Sequence, residues 1–192
     1  DPVRASLKVG CNGVSAINTI RSVLGVDLET LRPEPSVEGW TTPGGYSCRA
    51  VLPIALRFVM EIAHVIRDEF PGRSLSGIGG VETGADAAQF ILLGADTVQV
   101  CTGVMKEGYR IVGPMCDELA KIMDQHNFAT IDAMKGQSLP YFTTHHDLVD
   151  RQTKAREQRA AAKQAEKSKA IGADVEWDGD DFVDQTDALS RG

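Results

Sequence analysis

Three short segments of this chain carry residues suited to holding a ligand. Asn18-Thr19, Ile78-Gly79-Gly80 and Cys101-Thr102-Gly103 each close a short apolar run. A glycine pair after a strand lets the backbone turn sharply and bring its N–H groups up to an anion with no Cβ in the way. Cys101-Thr102 repeats the arrangement just ahead of another helix, so two neighbouring turns can offer amides to one phosphate. These residues act chiefly through backbone N–H, and Cys101 is not read as a nucleophile. Asn18 brings an amide that donates and accepts at once, matching a ligand edge of alternating N–H and C=O groups, and Thr19 adds a hydroxyl. A fourth segment, TTPGGYSCRAVLPIAL from Thr41 to Leu56, sets Gly44, Gly45 and Ser47 before a helix opened by Pro53. It reads as a loop that folds over a bound ring. Each segment also has a plainer reading: a tight turn, a supporting cap or a mobile surface loop. His64 falls within a helical run, and His145-His146 has no carboxylate or cysteine at ligand spacing, so no metal site is expected.

The elements that must carry these residues alternate. Residues 4–11 read as the end of a helix stopped by Gly10, and Gly13–Ile20 as a buried strand. A Pro/Gly-rich stretch from Arg21 to Ser47 is longer than the roughly 12–15 residues of ordinary connections. A helix is expected over Leu52–Phe70, a strand before Gly79, a helix from Glu82 or Thr83 to Gly94, a strand over Asp96–Gly103 and a helix over residues 108–126. Such alternation implies an α/β domain with a parallel sheet. Three strands with exposed edges make a poor domain, so the chain is read as part of a larger barrel, entered midway. The loops after the last two strands of (β/α)8 barrels form a common phosphate site. The inner sheet face is expected to be apolar and the isolated chain to aggregate or pair. The expected division is a partial barrel over residues 1–127, a connecting segment over 128–150, and a charged arm with an acidic tail over 151–192. Residues 151–169 hold seven Lys/Arg against two Glu, and residues 174–187 hold seven Asp/Glu and no basic residue.

Composition bounds the rest. The chain has 192 residues and a net charge of −7, which disfavours a general nucleic-acid binder. No apolar run approaches the roughly 20 residues that span a bilayer, and the N-terminal DPVRASLKVG lacks the apolar core of a signal peptide. Cys11, Cys48, Cys101 and Cys116 form no C-x-x-C pair, so no zinc or iron–sulfur site is signalled, and a reducing cytoplasm fits.

GVSAINTI, the GGYS…PIAL segment, SGIGGVETGADAAQFILLGADTVQVCTGVM and the following YRIV occur in one order and spacing. Together they resemble the flavin-dependent barrel of dihydropyrimidine dehydrogenases over about residues 1–125. The bacterial NAD-dependent pyrimidine-reducing form is the nearest likeness, and the dihydroorotate dehydrogenases come next. The resemblance implies the C-terminal half of a (β/α)8 TIM barrel plus a helical, charged C-terminal arm. It implies FMN as cofactor and reduction of the C5=C6 bond of uracil or thymine with electrons from NAD(P)H. It places Asn18 and Thr19 on the pyrimidine, and Ile78, Gly79, Gly80, Cys101 and Thr102 on FMN. Ser47 and Cys48 fall beside the flavin, Cys48 standing where the family usually has glycine. The family's proton-donating cysteine and flavin-contacting lysine would precede Asp1, leaving no catalytic residue in this chain. Implied partners are the N-terminal half of the barrel and an electron-transfer flavoprotein with iron–sulfur clusters, in an oligomer. Two rival readings are weighed: a conjugated acid such as dihydroorotate, with Arg49 pairing its carboxylate, and a non-catalytic half-barrel scaffold.

Overall fold

The computed structural model describes residues 1–173; the acidic stretch expected at 174–187 lies outside the described residues. Helix α1 (Pro2–Lys8) opens on Asp1, whose Oδ1 accepts from the Val3 amide at 3.0 Å. Strand β1 (Gly13–Ala16) follows. Four short strands come next: β2 (Ile20–Ser22), β3 (Gly25–Asp27), β4 (Arg32–Glu34) and β5 (Gly44–Tyr46). They pair antiparallel, β2 with β5 and β3 with β4. The strand expected over Gly13–Ile20 therefore ends at Ala16, and the long connection is built from two small ribbons. Then come α2 (Leu52–Glu69), β6 (Ser74–Ile78), α3 (Gly84–Leu92), β7 (Thr97–Gln99), α4 (Thr102–Glu107), α5 (Val112–Gln125), α6 (Ile131–Met134) and α7 (His145–Ala173).

The main sheet has the order β1-β6-β7, parallel throughout, with Ser15 opposite Ser76 and Ser76 opposite Thr97. Side chains alternate across a strand, and β6 shows it: Leu75 and Gly77 are buried on the helix side while Ser74 is exposed. Gly77 leaves the space that Phe90 of α3 fills, because a Cβ there would stand 2.5 Å from Phe90 Cδ1. Helix α2 covers the same face with Leu52, Ala55, Val59, Ile62 and Ala63, a stripe at helical spacing. Helix α3 starts in a capping box, Thr83 Oγ1 accepting from the Asp86 amide at 3.1 Å and the Asp86 carboxylate accepting from the Thr83 amide at 3.0 Å.

The opposite sheet face departs from the apolar expectation. Gln99 Nε2 donates to Ser15 Oγ at 2.8 Å and to Ser76 Oγ at 2.7 Å, and Thr97 Oγ1 donates to Ser76 Oγ at 2.8 Å. Alternation sends the large apolar residues to the helix layer and leaves a hydrogen-bonded polar row across three strands.

The chain divides into two units, Asp1–Phe142 and the chain from Thr143 onward. The first runs on past residue 127 because residues 128–142 return to α3. The Gly136 amide donates to Ile91 O at 3.0 Å and the Ser138 amide to Leu92 O at 3.0 Å, while Met134 and Leu139 are buried. In the second unit α7 begins before the charged run, at His145. Thr144 Oγ1 accepts from the Asp147 amide at 3.2 Å, and side chains through residue 166 are almost all exposed.

Candidate functional site

At the C-terminal ends of β1, β6 and β7 the first unit opens into a cleft of about 210 Å³. All nine residues singled out from the sequence line it: Asn18 and Thr19 after β1, Ser47 and Cys48 before α2, Ile78, Gly79 and Gly80 ending β6, and Cys101 and Thr102 after β7. The two glycine- and threonine-bearing turns thus face one space. Ile17, Tyr46, Val51, Val81, Gln99 and Met105 complete the wall. Sequence reasoning missed these six. For Gln99 a signal existed: it lies two residues before Cys101 and shares the face of Thr97. Tyr46 adjoins Ser47, but nothing in its type marks it.

Asn18 Oδ1 accepts from the Thr19 amide at 2.7 Å, which holds the side chain in place and leaves its NH2 group as a donor. Strand β5 crosses Thr19 at Gly45, where a Cβ would run into Thr19 Oγ1.

Gly79 and Gly80 have φ of +139° and +75°. The expected purpose of the missing Cβ atoms was an open approach to an anion. Here a Cβ on Gly79 would stand 2.7 Å from Ala55 Cβ, and one on Gly80 would stand 2.9 Å from both Cys48 O and Leu52 Cβ. The space is filled by the start of α2 and the turn before it. The glycines seat that helix. Among the described residues the amides of Gly79, Gly80, Thr102 and Gly103 donate to no acceptor in the chain. Substituting either glycine by valine would displace α2 before it displaced a ligand.

Cys48 sits at φ +69°, a region uncommon for a residue with a side chain. Its thiol donates to Glu82 Oε1 at 3.6 Å, and Lys106 Nζ lies 2.6 Å from the same oxygen. The Lys106 ammonium holds the Glu82 carboxyl below the usual carboxylate range, and Glu82 in turn raises Lys106. The neighbouring Arg49 does not line the cleft. Its guanidinium pairs with Asp86, a carboxylate only 1% exposed that also accepts from the Glu82 amide at 3.1 Å. The acid-substrate reading needed Arg49 free to meet a ring carboxylate; the pull of a buried carboxylate turns it away from the cleft.

Among the described residues no group of three or more His, Cys, Asp or Glu is placed to hold a metal ion, and no helix is long and apolar enough to cross a membrane. The free amides and the cleft fit one wall of a phosphate-bearing cofactor. The volume falls short of the roughly 300–1,000 Å³ of an enclosed small-molecule site.

Parallel strands whose C-terminal ends meet at one cleft, with helices packed on one face of their sheet, make this unit a segment of an α/β barrel. The sequence matches the dihydroorotate dehydrogenase family over residues 3–123, and the chain belongs to that family of flavin-dependent dehydrogenases. It is 60% identical over 190 residues to the chloroplastic NADP-dependent dihydropyrimidine dehydrogenase of Arabidopsis thaliana, covering 98% of this chain and 43% of that protein. It is 44% identical over 133 residues to the NAD-dependent dihydropyrimidine dehydrogenase subunit PreA of Escherichia coli, covering 69% and 32%. With the catalytic subunit of dihydroorotate dehydrogenase B of Pyrococcus abyssi it shares 33% over 135 residues, covering 70% and 42%. The chain spans less than half the length of each of these relatives.

Proposed function

We propose that, within a complete barrel, this chain forms one wall of an FMN site whose enzyme reduces the C5=C6 bond of uracil or thymine. Electrons would come from NAD(P)H through a partner flavoprotein or domain with iron–sulfur centres, in an oligomeric assembly. The observation that carries the reading is the convergence of nine residues from four separate segments on one cleft. It occurs in a chain sharing 60% of its residues with a dihydropyrimidine dehydrogenase.

Bound flavin would supply the hydride; the residues of this chain bind and orient. Amides of Gly79, Gly80 and Thr102 meet the phosphate dianion, at the strand ends where barrel folds bind such groups. The Asn18 NH2 group and the Thr19 hydroxyl hold the edge of the pyrimidine. Donors placed there also stabilise charge that develops on a ring carbonyl during reduction. Ile78, Val81 and Met105 keep water from the bound ring. The proton donor is assigned to the other half of the barrel. The four cysteines are free, which suits a reducing compartment: the cytoplasm, or a plastid as in the chloroplastic plant relative.

Co-expression of this chain with the preceding half of the barrel tests the reading. A yellow complex with flavin absorbance and uracil-dependent NAD(P)H oxidation, once the electron-transfer partner is added, is the expected result. In that complex Asn18→Ala should lower kcat/KM for uracil about 10–100-fold and leave the flavin spectrum in place. A folded complex that stays colourless and takes up no FMN overturns the proposal.

A further inference from the structure

Behind the cleft wall lies a cluster that joins one expected ligand contact, Cys48, to two side chains outside the cleft, Glu82 and Lys106. Glu82, two residues after Gly80, accepts from the Cys48 thiol at 3.6 Å and pairs with Lys106 of α4 at 2.6 Å. Those three residues stand on the three segments that the proposed function assigns to the cofactor: the Ser47–Cys48 turn, the Gly79–Gly80 turn and the Cys101–Thr102 helix start. A second tie runs beside the first, from Arg49 to Asp86 at the start of α3. Cys48 is held at a positive φ that a side chain rarely adopts, and such a conformation persists only where its surroundings impose it. The Cys48 carbonyl is pressed against Gly80, and the Glu82 carboxylate meets side chains of both flanking segments, Cys48 and Lys106.

We infer that Glu82 is a positioning residue: with Lys106 and Cys48 it forms a clasp that fixes the spacing of the three turns around the flavin. The inference rests on the proposed function for its ligand, but not for its geometry. Glu82 and Lys106 do not line the cleft, so the clasp acts through Cys48 and through the seating of α4. Its loss frees the Ser47–Cys48 turn. It also removes the acceptor that ties down the Cys48 thiol, leaving the thiol free to meet an alkylating reagent.

The test uses this chain assembled with the rest of its barrel and two measurements. One is the rate of FMN release, followed by the return of flavin fluorescence. The other is the rate of Cys48 alkylation by iodoacetamide without flavin, resolved from Cys11, Cys101 and Cys116 by mass spectrometry. Glu82→Gln should speed FMN release about threefold or more, in keeping with the modest strength of a half-exposed ion pair, and should speed Cys48 alkylation. Lys106→Met should also speed FMN release. Lys106→Arg should restore wild-type behaviour, which a loss of bulk packing would not. Lys106 is half-exposed, so its variants keep the test open should Glu82→Gln fail to fold. FMN release and Cys48 alkylation at wild-type rates in folded Glu82→Gln and Lys106→Met assemblies overturn the inference. A wild-type assembly that binds no FMN overturns the proposed function instead, and the alkylation rates then decide the clasp.

Discussion

Cys48, Arg49, Glu82, Asp86 and Lys106 show how a charge is spent on shape. A cysteine at φ +69° would relax if nothing held it, yet two side-chain ties reach its turn from the loop and helix that follow β6. The Glu82 carboxyl is depressed first by its hydrogen bond from Lys106, and further by Cys48 and by the charge of Arg49. A depressed carboxyl contributes stability that is present at and above the ordinary carboxylate range, and that is lost as pH falls through the lowered value. The clasp should therefore survive mild acid. Carbon-detected NMR titration of Glu82 checks this: Lys106→Met should move its titration upward toward the ordinary range. No movement would mean that the ammonium is not its main partner.

Strand β6 is where several requirements meet. It is the central strand, paired on both sides, and it ends in the turn that lines the cleft. Gly77 must stay bare because Phe90, fully buried, occupies the space a Cβ would take. Gly77→Ala should destabilise the first unit by about 1–3 kcal/mol through overpacking, read from the urea midpoint of the assembled barrel. Gly77→Ala with Phe90→Leu should recover part of that loss, since the contact itself causes it. Should the single variant unfold at the wild-type midpoint, α3 does not pack as closely as described. Small residues meet at two points along α2, Ala55 against Gly79 at the end of β6 and Ala63 against Gly94 in the turn after α3. The site is thus as much a product of helix–strand approach as of its polar groups.

The whole sheet has three strands, with β1 and β7 at its edges. Edge strands present unpaired N–H and C=O groups that invite a partner strand. The inner face adds Ser15, Ser76, Thr97 and Gln99 rather than the branched apolar residues common inside such barrels. Association through strand edges is therefore favoured over collapse of an apolar face. On joining the rest of the barrel, amide hydrogen exchange in β1 and β7 should slow far more than in β6, which is already paired on both sides. Equal slowing in all three strands would contradict closure through the edges. The arm also has a counterpart among known proteins: the plant relative aligns over 190 residues, the bacterial one over 133.

Much of this architecture was legible in local pattern. Helical spacing in Leu52–Phe70, the Thr83 cap before Asp86 and the alternation of short strands with helices are set by side chains close in sequence, so the parallel α/β class could be read directly. So could seven of the nine cleft residues, because the C-terminal ends of parallel strands all emerge on one side; Ser47 is marked by its loop and Cys48 only by the family resemblance. The position of Ile20 in a separate ribbon, the turning of Arg49 to Asp86, and the filling of the Gly79 and Gly80 space by α2 could not be read. Nor could the polar row across the inner face. Each depends on which atoms meet across more than 20 residues of intervening chain, or on which of two faces a strand turns to the helices. Residue type and spacing leave such meetings open until the chain is packed.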